Sequence, residues 1–310
     1  MKIEKLLFEN WEAPTLPKMI PHGDMPGDKV EIDEHHVSKA KLIFPKLLQE
    51  LQCVMNKSGQ EKAVIAVCGG SGVGKSETAS LLSYYLNEAG IGAYTMSGDN
   101  YPHRIPKYND AERLHVFRES ALKGMIATGT YTKERAECIH NLQVKEDDAN
   151  PKYREEYDWF STYLDAGRRG LSRYLGTFSE TGFEEVEHII SQFKNGADYI
   201  FLKRMGREDT ELWYENVDFS DIDVLIIEWT HGNSDYFEGV DIPILLNSTP
   251  EETLEHRRKR ARDGAVDSPF TTMVLELEQQ LLMSQAHKAK IIVTKSGELI
   301  DYNQYCELMR

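Results

Sequence analysis

Cysteine is scarce in this chain. Cys53, Cys68, Cys138 and Cys306 are the only four in 310 residues, and none are spaced as C-x-x-C. That argues against a disulfide framework or a zinc ribbon and fits a reducing cytoplasm. Long apolar runs are also missing. None approaches the ~18 residues of a membrane span. The opening MKIEKLLFENW has too short an apolar stretch for a signal peptide. Positive charge is outnumbered, with 36 Lys and Arg against 51 Asp and Glu and a net charge of −15. An acidic surface repels a polyanion, so nucleic acid is not an expected partner, and neither is a membrane. What remains is ample material for a core: 40% of the residues are hydrophobic. That suits one large α/β domain, or one domain with an appendage.

The stretch AVIAVCGGSGVGKSETASLL, from Ala63 to Leu82, holds the most specific pattern. Gly69-Gly70-Ser71-Gly72-Val73-Gly74-Lys75-Ser76 fits G-x-x-x-x-G-K-[ST], with an apolar strand before it and a helix after it. Glycines fill such a loop because backbone N–H groups must curl around phosphate oxygens, where side chains would obstruct them. The following helix adds partial positive charge at its N-terminus. Gly70, Ser71, Gly72, Val73, Gly74, Lys75, Ser76 and Glu77 are the expected nucleotide contacts. Lys75 is suited to the β- and γ-phosphates and the Ser76 hydroxyl to Mg²⁺. ATP and Mg²⁺ are thus the expected cofactors.

Residues 1–34 are rich in Pro, Gly and charge and read as an extended arm or hairpin. A helix carrying Phe44, Leu47, Leu48, Leu51 and Met55 on one face should follow, started or kinked by Pro45. Further strands are expected at 90–99, 197–203, 223–229, 241–248 and 289–295, with helices at 183–195, 250–262 and 271–288. The strands are short continuous apolar runs, as expected of parallel strands buried on both faces. The fold class is therefore α/β: a three-layer α/β/α P-loop NTPase with a parallel sheet. Residues 1–60 form its arm and first helix, and 61–104 with 176–310 its core. Residues 105–175 read as a helical insertion, a lid or substrate module at the carboxyl ends of the strands, where open α/β sheets bind ligands. Tyr153, Tyr157, Trp159, Phe160 and Tyr163 are aromatics there that could pack on the sheet's rim or over a substrate. Arg113 and Arg118 could bind an acidic substrate, with solvation as the plainer role.

Two acids sit at predicted strand ends. Asp99 closes the second strand in SGDNYPHR, and Glu228 closes VLIIEW at the place of the second Mg²⁺-organising acid of P-loop enzymes. Ser76, Glu228 and Asp99 are the candidate metal ligands. A basic run, His256 to Arg262, follows Ser248-Thr249-Pro250, where Ser248 or Thr249 could cap a helix. Arg258 and Arg262 would share one face of it and could lie across the phosphates.

This order of motifs resembles the uridine kinase, phosphoribulokinase and pantothenate kinase superfamily. The shared features are the phosphate loop, SGDNY, FEEVEHIISQFKNG, DVLIIEW and NSTPEETLEHRRKRARD. The resemblance covers about two thirds of the chain. It implies that Asp99 accepts the proton of a substrate hydroxyl, that Tyr101 is the aromatic after it, and that Arg258, Arg262 and Asp263 belong to a lid. Lys75, Asp99, Glu228, Arg258 and Arg262 are then the expected catalytic group, with Asp99, Tyr101 and Arg104 as substrate contacts. One departure is Trp229, where the family usually has Gly directly after the acid. The implied activity is transfer of the ATP γ-phosphate to a hydroxyl of a small metabolite, and a homodimer is the expected assembly. SGDNYPHR also resembles a motif of adenylylsulfate kinases, which is a second reading. A nucleotide-hydrolysing regulatory ATPase is a third; for a guanine switch the chain lacks N-K-x-D, the nearest string being VTKSG at Val293–Gly297.

Overall fold

A computed structural model describes residues 11–17, 20–28, 30–58, 61–249, 251–255 and 268–309. The chain divides into two compact units. The first comprises Met1–Tyr101, Gly182–Thr253 and Leu282–Arg310, and the second Pro102–Thr181 and Leu254–Leu281.

The first unit is built on a six-stranded sheet, numbered in chain order as β1 (Ala63–Gly69), β2 (Ala93–Ser97), β5 (Val224–Glu228), β6 (Ile242–Leu246), β7 (Ile291–Val293) and β8 (Leu299–Ile300). Its spatial order is β2-β5-β1-β6-β7-β8, parallel throughout except for β8. Side chains alternate between two covered faces. Ala63, Ile65 and Val67 of β1 join one cluster with α1 (Glu34–Ser58) and α2 (Lys75–Glu88). Val64 points into the other, which holds Phe183, Val186, Ile189, Ile190 and Phe193 of α7 (Phe183–Lys194). Burial on both sides is why these strands are apolar without alternation. The expected α1 face is buried in full: Phe44, Leu47, Leu48, Leu51 and Met55 all lie in the first cluster. Pro45 sits inside that helix rather than at its start.

The run at 197–203 is not a strand of the parallel sheet. It forms β3 (Tyr199–Met205), which pairs antiparallel with β4 (Leu212–Asp218) as a separate two-stranded hairpin. Tyr199 and Phe201 are exposed, while Ile200 and Leu202 are buried. That alternation leaves one face of the strand's first half uncovered, whereas Lys203, Arg204 and Met205 are all buried. Its partner β4 is almost wholly exposed although it opens on Leu212, Trp213 and Tyr214, so its apolar residues mark no buried face.

The second unit is helical around its own core. Its elements include α3 (Pro106–Ala127), α4 (Lys133–Val144), α5 (Tyr153–Glu156), α6 (Phe160–Ser172) and most of α8 (Pro269–Gln285). Trp159, Phe160 and Tyr163 pack with Phe117, Met125, Met273 and Leu277, with Tyr153 and Tyr157 against them. These aromatics therefore form a hydrophobic core, not a surface over a substrate. A Cβ at Gly167 would lie 2.5 Å from the Phe117 ring, so α6 can approach α3 only with glycine there. Two arginines expected at the surface are tied into this unit instead. Arg113 Nε donates to Glu180 at 2.6 Å, and Arg118 Nη2 to Asp148 at 2.7 Å. No helix among the described residues is long and apolar enough to cross a membrane.

Candidate active site

The sheet's register brings three loops together. Val67 of β1 and Ser97 of β2 both stand opposite Glu228 of β5, so the phosphate loop, the 97–100 turn and Glu228 leave the sheet side by side. In the loop, Gly74 adopts φ 94° and caps α2 in a left-handed conformation. A side chain at that position is strained by the backbone and would also meet the His36 ring of α1, 2.9 Å from its Cβ. The N-terminus of α2 thus faces the loop with its N–H groups, a ready anion site.

Lys75 is buried and donates from Nζ to the Gly70 carbonyl at 3.2 Å. Ser76, one residue on, is near enough for its hydroxyl to favour the ionised Glu228 carboxylate. Ser97 Oγ donates to Glu228 Oε2 at 3.3 Å. Glu228 is itself buried, and its carboxyl is pushed up to about 7, first by burial and then by the negative charge of Asp99. Lys75 and the Ser76 hydroxyl pull the other way. Two acids in mutual repulsion beside a serine hydroxyl form an all-oxygen donor set for a hard cation. Among the described residues no cluster of three or more His, Cys, Asp or Glu could hold a metal by itself. Mg²⁺ keeps several waters and takes phosphate oxygens alongside one or two carboxylates, so Ser76, Asp99 and Glu228 are the residues that could hold it.

Asp99 is exposed, on a single 3₁₀ turn, Gly98–Asn100, capped by Ser97, whose Oγ accepts from the Asp99 N–H at 3.1 Å. Trp229, the residue after Glu228, is buried with its ring so close over Gly98 that any Cβ there would overlap it. The departure from glycine at 229 therefore has a structural consequence: the indole backs the turn that carries Asp99.

Tyr101, Glu77 and Arg104 were further expected contacts. Tyr101 is fully buried, its hydroxyl 3.6 Å from Met96 Sδ, so it is a core residue and not a substrate contact. The Glu77 side chain is also buried, leaving only its backbone at the loop. Arg104 belongs to the second unit, where Nη1 donates to Tyr174 Oη at 3.1 Å. Thr249 caps the helical stretch 251–255: its Oγ1 accepts from the Glu252 N–H, and its own N–H donates to the Glu252 carboxylate. Arg258, Arg262 and Asp263 lie outside the described residues. Sequence reasoning missed Asp24, whose carboxylate accepts from the Ser97 N–H at 2.7 Å. Only its place in the Gly- and Pro-rich arm, and no motif, marked it.

No protein-family model matches the chain. Over 256 residues, 83% of its length, it is 37% identical to part of the bifunctional alpha-galactosidase/sucrose kinase AgaSK of Mediterraneibacter gnavus. The chain spans about a fifth (22%) of that relative's length. Among solved structures it overlaps a candidate fructose transport system kinase from a Silicibacter species, with TM-score 0.46 and 12% identity over 81% of this chain and 96% of that one. A candidate uridine kinase from Bacillus stearothermophilus overlaps with TM-score 0.36 and 14% identity over 80% and 98% of the two chains. All three carry kinase in their names. The parallel sheet between helices, with a phosphate loop between β1 and α2, is by itself a P-loop α/β fold.

Proposed function

We propose that the chain is an ATP- and Mg²⁺-dependent kinase that transfers the γ-phosphoryl group to a hydroxyl of a small sugar, acting in the cytoplasm. One observation carries the reading: buried Glu228 stands in register with Val67, at the entry to the phosphate loop, and with Ser97, which donates to it at 3.3 Å and caps the turn that carries Asp99. The name of the M. gnavus relative favours a sugar such as sucrose over a nucleoside as acceptor.

The loop N–H groups and Lys75 would hold the triphosphate, and Ser76 with Glu228 would hold the cation. Bound there, Mg²⁺ would supply charge neutralisation to the phosphate groups. Asp99 orients the acceptor hydroxyl in line and takes its proton late, as the new O–P bond forms. The bond from the γ-phosphorus to the β–γ bridging oxygen breaks, and ADP leaves with that electron pair. Arg258 and Arg262 are proposed to cover the transferred group, and residues 105–175 to contact the acceptor. A homodimer remains part of this proposal.

The test is a transfer panel. ATP labelled in the γ-phosphate is offered with sucrose, other sugars, nucleosides, pantothenate-like acids and adenylylsulfate, with Mg²⁺ or with EDTA. Label on a sugar, lost with EDTA, supports the reading. Label on adenylylsulfate alone, or release of phosphate with no acceptor labelled, overturns it in favour of one of the other two readings.

A further inference from the structure

The turn that carries Asp99 is held from the N-terminal arm. Asp24 lies on that arm, far from the site in sequence, yet its side chain is 8% exposed and accepts four hydrogen bonds. Its Oδ1 takes the Ser97 N–H at 2.7 Å and the Asn100 side-chain amide at 3.1 Å. These two donors bracket Asp99. Its Oδ2 takes Arg204 Nη1 at 2.8 Å and the Tyr94 hydroxyl at 3.1 Å. Arg204 sits on β3 and is itself fixed by Glu215 at 3.0 Å. Asn100 is wholly buried, and its Oδ1 accepts the Met205 N–H at 3.0 Å, so the same hairpin grips the turn a second time.

We propose that Asp24 is a positioning residue for phosphoryl transfer: it fixes the 97–100 turn so that Asp99 is aimed at the acceptor hydroxyl. The inference rests on the reading of Asp99 as the proton acceptor. A carboxylate suits the task because it accepts only, and all four groups around it donate. Without it, the buried Ser97 N–H and Asn100 amide lose their acceptor, and such groups are costly to leave unpaired. The turn would then be free to tilt. A misplacement of about 1 Å at a reacting group can cost on the order of 10²-fold in rate.

A double-mutant cycle on the full chain tests this, using ATP and the acceptor the transfer panel identifies. Asp24→Ala is expected to lower kcat by ~10- to 100-fold, with the affinity for a non-hydrolysable ATP analogue unchanged. Asp24→Asn keeps the Oδ1 acceptor for Ser97 and Asn100 but sets an amide NH2 against Arg204 and the Tyr94 hydroxyl, so it should recover the rate only in part. The deciding comparison is Asp24→Ala with Asp99→Asn together. If Asp24 acts through Asp99, the double variant should be within ~2-fold of Asp99→Asn alone. Should the alanine variant fail to fold, Asp24→Glu carries the same cycle, because its extra methylene shifts the turn while keeping the charge. Losses that multiply, or an Asp24→Ala enzyme with unaltered kcat, overturn the inference and leave the kinase reading standing. An unaltered protein that phosphorylates no acceptor overturns both.

Discussion

Glu228 shows what the site costs the fold. Its carboxyl is raised to about 7 in the folded chain by burial and by Asp99, against an ordinary value of 4.5. The folded state therefore binds the proton more tightly than the unfolded one, so stability falls as pH rises from about 4.5 to about 7. Above that window the penalty is complete, at about 3 kcal/mol by the size of the shift. Glu228→Gln should then unfold at higher urea than the unaltered chain at pH 8, with the advantage gone at pH 5, both measured without nucleotide or Mg²⁺. A variant less stable at pH 8 would contradict this. Lys75→Ala, by contrast, should abolish transfer while keeping the far-UV spectrum. Asp99→Asn should lower kcat by ~10²–10⁴ with ATP-analogue affinity nearly unchanged; a collapse of that affinity would make Asp99 chiefly a metal ligand. That Lys75, Ser76, Asp99 and Glu228 lie near the ends of neighbouring strands was legible in the sequence, because β1, β2 and β5 read plainly there. Asp24 was not, since its partners lie more than 65 residues away and meet it only once the sheet is built. Tyr101 was misplaced for a related reason: an aromatic after a tight turn looks the same whether it faces a ligand or the core.

At the scale of elements, the central parallel strands were readable because burial on both faces leaves unbroken apolar runs. The hairpin was not. β3 reads as one more such run, and only its antiparallel pairing with solvent-exposed β4 sets it apart. The elements that matter most for the site are the 97–100 turn and the Trp229 ring behind it. Gly98→Ala has no room for its methyl, so the indole or the turn must move. That should cost ~1–3 kcal/mol of stability and lower kcat more than it weakens ATP-analogue binding. Transfer at the unaltered rate would show that Trp229 merely fills space.

Across the whole molecule, residues 102–181 with 254–281 form a unit with its own core. Reading 105–175 as a substrate module predicts a particular pattern of hydrogen exchange. An ATP analogue with Mg²⁺ should protect the phosphate loop and the first turn of α2, and adding the acceptor should extend protection into 102–181. An acceptor that leaves those residues unchanged would make the second unit an appendage. The central claim, however, concerns where the γ-phosphate goes. A single-turnover reaction with γ-labelled ATP, Mg²⁺ and sucrose as the first acceptor decides it most directly. Label is expected on the sugar faster than it appears as inorganic phosphate, with both products lost in EDTA and in Lys75→Ala. Label released only as phosphate, at a rate no acceptor in the panel alters, would contradict the proposed kinase function.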